Sequence, residues 1–318
     1  MLASAADIFL SVILPILVIV ALGAGLQRGF PLHVPTLSRL NVYLLVPAFL
    51  FVRLYDSTLS WREIGRITAV VMLPCVLLGL AIWLTLRARK ASGTTIAAMV
   101  VGGLVFNAGN FGLPLTELFY SSPDVHFEGM KPGDGVAIQA LIIMVTNLSV
   151  WGLGYMIMAL AKGTGVRGAV SYFKLPTLYV MVAAFVLRDT GATLPKLIDF
   201  PLRTMANATV PVMMVTLGAQ LAQRARWPNW RLVAPAMLIK LIALPALTAL
   251  VVWLLGLWPW PGAQLIIAAA APTAVNTLLL TLELDGDADL AADVVFWTTL
   301  GAAASVTAVL SLVTALAG

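Results

Sequence analysis

VFNAGNFGLPL, Val105 to Leu115, lies inside a long apolar stretch, and its reading decides the fold. Asn107, Gly109, Asn110, Gly112 and Pro114 fall within eight residues. In a helix interior, glycine costs about 1 kcal/mol and proline about 3. Pro114 also lacks an amide donor and crowds the carbonyl one turn back. A helix entering this segment should therefore break. In hydrocarbon, the freed backbone groups need partners or water, so the break must be buried in protein or line a cavity. The two asparagine amides can supply those partners, or they can bind a ligand. A kink that lets helices pack closely is the structural alternative.

The hydrocarbon setting follows from composition. The chain has 318 residues, 61% hydrophobic and 10% charged. Soluble domains carry roughly 25% charged residues. Ten apolar stretches lie at about 6–27, 35–55, 64–86, 94–120, 134–161, 171–190, 198–223, 231–255, 262–284 and 290–316. Each can cross about 30 Å of hydrocarbon. The expected fold is an all-α integral membrane protein of ten transmembrane helices. The first stretch is too long for a signal h-region and has Asp7 where a signal would be basic, so it reads as a span.

Charge explains topology better than it explains nucleic-acid binding. The net charge is +5, but the basic residues cluster in short loops. With both termini outside, eleven Lys and Arg fall on the cytoplasmic side and seven outside. The eleven include Lys162, Arg167, Lys174, Arg224 and Arg226. The expected location is the cell membrane, in a bacterial inner membrane. Trp61, Trp227, Trp230, Trp258 and Trp260 flank spans and read as interfacial anchors.

The two halves share an outline. Pro47 and Pro211 sit at matching places in spans two and seven, and Pro74 and Pro245 in spans three and eight. Span nine, AAAAPTAVNTLLL, answers span four with Pro272, Thr273 and Asn276. Five spans per half makes the second repeat enter upside-down. Paired interrupted helices in inverted repeats point to a transport site, and if the breaks in helices four and nine cross, half-helix N-termini meet near the midplane. Half-helix N-termini that meet there attract anions.

Three intramembrane charges have two readings each. Lys240 is an anion-attracting or state-sensing group, or it snorkels to the interface. Glu117, just after Pro114, is a coupling carboxylate, or it complements the helix dipole. Asp293 faces a cavity or caps span ten. Cys75 stands alone in an apolar run, which excludes an intrachain disulfide or a cysteine metal cluster. There is no HExxH, nucleophile elbow or phosphate loop, so the expectation is no enzyme, no resident metal and no cofactor beyond a coupling proton or sodium ion.

NAGNFGLPL resembles the N-x-G-x-x-G-x-P signature of the auxin efflux carrier family, in its short bacterial, malonate-carrier-like form. LSRLNVYLLVPAFLF, ATVPVMMVTLGAQL, KLIALP and APTAVN resemble further family segments, so the likeness covers nearly the whole chain. It implies repeats at 1–162 and 163–318. It also implies a scaffold (6–55 with 171–223) that commonly dimerises, and a transport domain (64–161 with 231–316) that moves as an elevator. Asn107, Gly109, Asn110, Gly112, Pro114, Pro272, Thr273 and Asn276 carry over as the substrate crossover, with Asn41 facing them from the scaffold. The implied substrate is a small organic anion, bound by asparagine amides, backbone amides and half-helix dipoles, which suit a carboxylate. Two rivals stand beside this reading: a membrane sensor that binds without flux, and a carrier of the bile-acid/sodium-symporter type.

Overall fold

Ser4 starts the first helix by accepting a hydrogen bond from the Asp7 amide, while the Asp7 carboxylate accepts one from the Ser4 amide. This reciprocal cap satisfies two donors that the helix start would otherwise leave open. It gives Asp7 a structural role. Ser60 and Glu63 repeat the device at the third helix, and Ser92 caps the fourth. The computed structural model describes residues 4–123, 125–150, 156, 176–223, 227–283 and 287–317.

In chain order the helices are α1 (Ala5–Gly29), α2 (Val34–Tyr55), α3 (Trp61–Ala88), α4 (Gly93–Leu104), α5 (Leu113–Tyr120) and α6 (Asp134–Leu148). Then follow α7 (Pro176–Thr190), α8 (Lys196–Ala222), α9 (Trp230–Leu254), α10 (Gly262–Ala269), α11 (Val275–Glu283) and α12 (Ala288–Ala317). The chain is all-helical among the described residues. Six helices, α1, α2, α3, α8, α9 and α12, are long and apolar enough to cross a membrane. The expected fourth and ninth spans are each two half-length helices, α4 with α5 and α10 with α11. The expected fifth and sixth spans are represented by α6 and α7. Most of 149–175, with Lys162, Arg167 and Lys174, lies outside the described residues, as do Arg224 and Arg226.

Proline shapes four of these helices in the same way. Wide π-type turns occur at Phe9–Ile13 in α1, Asn41–Leu45 in α2, Ala108–Gly112 before α5, and Ile239–Ala243 in α9. Each ends two residues before a proline: Pro15, Pro47, Pro114 and Pro245. Proline removes a donor and clashes with the preceding turn, and widening that turn relieves the clash without ending the helix. Asn41 and Lys240 are both carried on such turns.

Backbones come closest where α1 crosses α8. A Cβ on Gly218 would collide with the Val20 carbonyl, and one on Gly23 with the Val215 carbonyl. Small residues let helices approach this closely in lipid, where van der Waals contact drives association. Further, α7 packs on α2, and α2 on α8. Two hydroxyls of α8 bind α2: Thr209 donates to the Leu45 carbonyl at 3.1 Å, and Thr216 accepts from Asn41 Nδ2 at 3.1 Å. Elsewhere α3 packs on α4, α6 and α9, and α12 on α9, α10 and α11.

The outer surface suits lipid. Leu10, Leu14, Val18, Leu22 and Leu26 are exposed along one stripe of α1. Such a stripe is costly in water and costs nothing against acyl chains. Trp61, Trp227 and Trp230 are exposed at helix starts, as anchoring requires. Trp260 instead packs against Tyr120 and Phe127.

Candidate functional site: the crossing of two broken helices

Between α4 and the turn before α5, residues 105–107 leave the helix, with Val105 extended and Asn107 in a tight turn closed by the Ala108 amide on the Phe106 carbonyl. Between α10 and α11, residues 272–274 are likewise non-helical. The two segments lie antiparallel, with Phe106 opposite Thr273. The Asn107 amide donates to the Pro272 carbonyl at 2.7 Å, and the Ala274 amide donates to the Val105 carbonyl at 3.0 Å. Each break therefore satisfies backbone groups that the other frees, which answers the demand that hydrocarbon imposes.

Side chains fix this crossing from behind. Thr273 is fully buried; its hydroxyl donates to the Gly102 carbonyl at 2.8 Å, and its amide donates to Thr298 Oγ1 at 3.1 Å. Lys240 is also fully buried and donates from Nζ to the Ala269 carbonyl at 3.0 Å, at the C-terminus of α10. Its Nζ lies 4.9 Å from the centre of the Phe106 ring. A cation at a helix C-terminus is stabilised by the dipole, and one over an aromatic face by the ring quadrupole. Lys240 is therefore held inward rather than snorkelling, and it joins α10 to the crossing segment.

A buried amide network supports the other half. Gln264 Nε2 donates to Gln139 Oε1 at 2.8 Å and to Thr116 Oγ1 at 3.1 Å. Gln139 Nε2 donates to the Ala108 carbonyl at 2.6 Å. Gly112 leaves room for this network: a Cβ there would sit 2.6 Å from Gln139 Nε2. Buried and largely satisfied, such a network fixes one arrangement of α5, α6 and α10.

In front of the crossing is a cavity of about 390 Å³. The N-terminal ends of both half-helices reach it through Ala108, Gly109, Asn110, Ala274, Val275 and Asn276. Asn41, Thr216 and Gln220 line it from α2 and α8, and Thr146 and Asn147 from α6. Arg39, exposed at one end, is the one charged residue among its described lining. Asn107 Oδ1 accepts from the Asn110 amide at 3.0 Å, which caps the turn. Its Nδ2 is buried with no partner, as are Asn41 Oδ1 and Gln220 Oε1. A buried polar atom left unpaired costs about 1–3 kcal/mol, so these atoms favour an occupant with matching donors and acceptors.

The sequence-predicted residues divide into two groups. Asn41, Asn107, Gly109, Asn110 and Asn276 line the cavity. Gly112, Pro114, Pro272 and Thr273 are buried behind it and shape the crossing. Lys240, Glu117 and Asp293 are not in its lining. Glu117 pairs with Arg53 at 2.9 Å, and Asp293 is buried in α12. Sequence reasoning missed Asn147, which accepts from Asn276 Nδ2 at 3.2 Å, and Gln220, which donates to Ser38 Oγ at 3.2 Å. Gln139 and Gln264 were missed too. All four are uncharged polar residues inside apolar stretches, and that was the available signal.

Comparison with known proteins agrees with a membrane function. A sequence profile for a family described as membrane transport protein matches residues 169–310. An uncharacterized transporter of Methanothermobacter thermautotrophicus is 24% identical over 296 residues, covering 91% of this chain and 93% of that protein. An uncharacterized transporter of Methanocaldococcus jannaschii is 23% identical over 276 residues, covering 84% and 85%.

Proposed function

From the family profile matched at residues 169–310 and the likeness of two uncharacterized transporters to most of the chain, we propose that it is a secondary transporter of a small organic anion, of auxin efflux carrier-like type. One observation carries the anion reading. Two half-helix N-termini and Asn107, whose buried Nδ2 has no partner, line one cavity whose charged lining residue is a cation, Arg39. A carboxylate matches that set. Charge-assisted hydrogen bonds contribute about 1.5–3 kcal/mol each and helix termini about 0.3–1 each. Two of each give roughly 4–8 kcal/mol, a millimolar to micromolar affinity. That range suits a carrier, which must release what it binds.

The mechanism proposed is an elevator. Ten spans form two inverted five-helix repeats. α1, α2, α7 and α8 are the scaffold, which pairs as a homodimer, and α3–α6 with α9–α12 are the transport domain. Asn41 and Gln220 on the scaffold face Asn107 and Asn276 on the moving part, so the substrate lies at the sliding boundary. Arg39 marks the cytoplasmic end of the cavity under the both-termini-out orientation. A proton gradient, a sodium gradient or the substrate's own gradient drives transport.

The test is uptake of labelled carboxylates by proteoliposomes under each imposed gradient. Saturable uptake in the native protein, lost in Asn107→Ala, supports the carrier. Ligand binding without flux under every gradient overturns it in favour of a sensor.

A further inference from the structure

Farther along α2, about 20 Å from Arg39 at 1.5 Å per residue, a second cavity of about 360 Å³ is lined by Arg53, Glu117, Tyr120, Lys131 and Gly135. Its polar groups are incompletely paired. Arg53 Nη2 donates to Glu117 Oε1 at 2.9 Å, but Arg53 Nε is buried without a partner. Tyr120 OH is likewise buried without a partner. The guanidinium lies 5.3 Å from the centre of the Phe49 ring. The Tyr120 ring is fixed by edge contacts with Phe119, Phe127 and Trp260. Gly135 leaves its space, since a Cβ there would sit 2.6 Å from two ring carbons.

Two residues that line this cavity each carry a buried donor without a partner, and a small shift of either side chain would offer it to an acceptor. A guanidinium carries five N–H groups in a fixed fork, so it can keep Glu117 on one nitrogen and offer Nε to another oxygen. Among the lining residues Arg53 and Lys131 are the cations and Glu117 the carboxylate, with the buried Asp134 beside them accepting from the Lys131 amide. We propose that this cavity is a second carboxylate-binding site, on the far side of the crossing. The anion accepts from Arg53 Nε and Tyr120 OH while Glu117 remains on Nη2. The class of ligand rests on the organic-anion reading above; the site itself rests on the unpaired atoms. For a carrier it is the station where substrate waits on the side that the first cavity does not serve.

Calorimetric titration of the purified full-length protein with malonate, and separately with acetate, tests this. The native protein should bind at two sites. Asn107→Asp should remove one, and Arg53→Gln the other. Tyr120→Phe keeps the ring contacts and the Arg53–Glu117 pair, so it should weaken the second site about 5–10-fold with an unchanged melting temperature. If Asn107→Asp leaves the stoichiometry intact while Tyr120→Phe weakens binding, the second site stands and the crossing assignment fails. If binding of both anions is insensitive to Arg53→Gln and Tyr120→Phe, or absent in the native protein, the cavity holds water only and the proposal is overturned.

Discussion

Asn107 does two jobs with one amide. Its oxygen caps the turn into α5, and its nitrogen is the unpaired donor in the cavity. Asn107→Asp keeps an oxygen acceptor for the cap and removes the donor. It should therefore melt within about 1 kcal/mol of the native protein yet lose the carboxylate site at the crossing by calorimetry. Asn107→Ala should lose both. Thr273 gives the opposite contrast. Thr273→Val removes the one side-chain hydrogen bond, to the Gly102 carbonyl, and touches no group of the cavity, so it should cost about 1–3 kcal/mol of stability and leave anion affinity unchanged. An unchanged number of sites in Asn107→Asp would dissociate the crossing cavity from its assigned ligand. At this scale the sequence was legible where residue types were unusual: paired asparagines beside glycine and proline. Asn147 and Gln220 escaped notice because a single polar residue in an apolar stretch does not reveal which neighbour it will face. Lys240 was visible as a buried charge, but its partner is a backbone carbonyl 29 residues away, which no side-chain pattern encodes.

Elements were easier to foresee than their contacts. The breaks in the fourth and ninth stretches follow from glycine and proline energetics alone. That the two breaks hydrogen-bond each other does not, because backbone atoms carry no sequence signature. The wide turns before Pro15, Pro47, Pro114 and Pro245 went unforeseen for a related reason. Proline announces a lost donor, and whether the helix breaks or widens depends on what packs outside it. The α1–α8 contact makes a prediction at this scale. Gly218→Val must push two backbones apart, and overpacking of this kind costs about 1–3 kcal/mol or more. Gly25, on the same helix as Gly23, has open space where its Cβ would be. Gly218→Val should lower the melting temperature or abolish assembly, and Gly25→Ala should do neither. Equal effects would mean that α1 and α8 do not meet there.

Across the whole molecule, the two cavities sit toward opposite ends of α2, and labelling can place them on opposite sides of the membrane. Cys75 is the one cysteine. In a Cys75→Ser background, Arg39→Cys should react with a membrane-impermeant maleimide from one side only, and Lys131→Cys from the other. Reaction of both from the same side would overturn the orientation. Composition alone fixed the membrane setting, since so few charges leave no other solvent. The inverted arrangement was read from prolines and an odd count of stretches, and the expected fifth and sixth spans are described only in part. The crossing itself has one more consequence. Its two bonds run from main chain to main chain, from Asn107 to Pro272 and from Ala274 to Val105. Neither depends on which side chain those residues carry. The frame that presents a ligand is thus held separately from the groups that choose it. Substitutions around the cavity can retune cargo without loosening the frame, which gives this architecture wide evolutionary latitude at its most functional point.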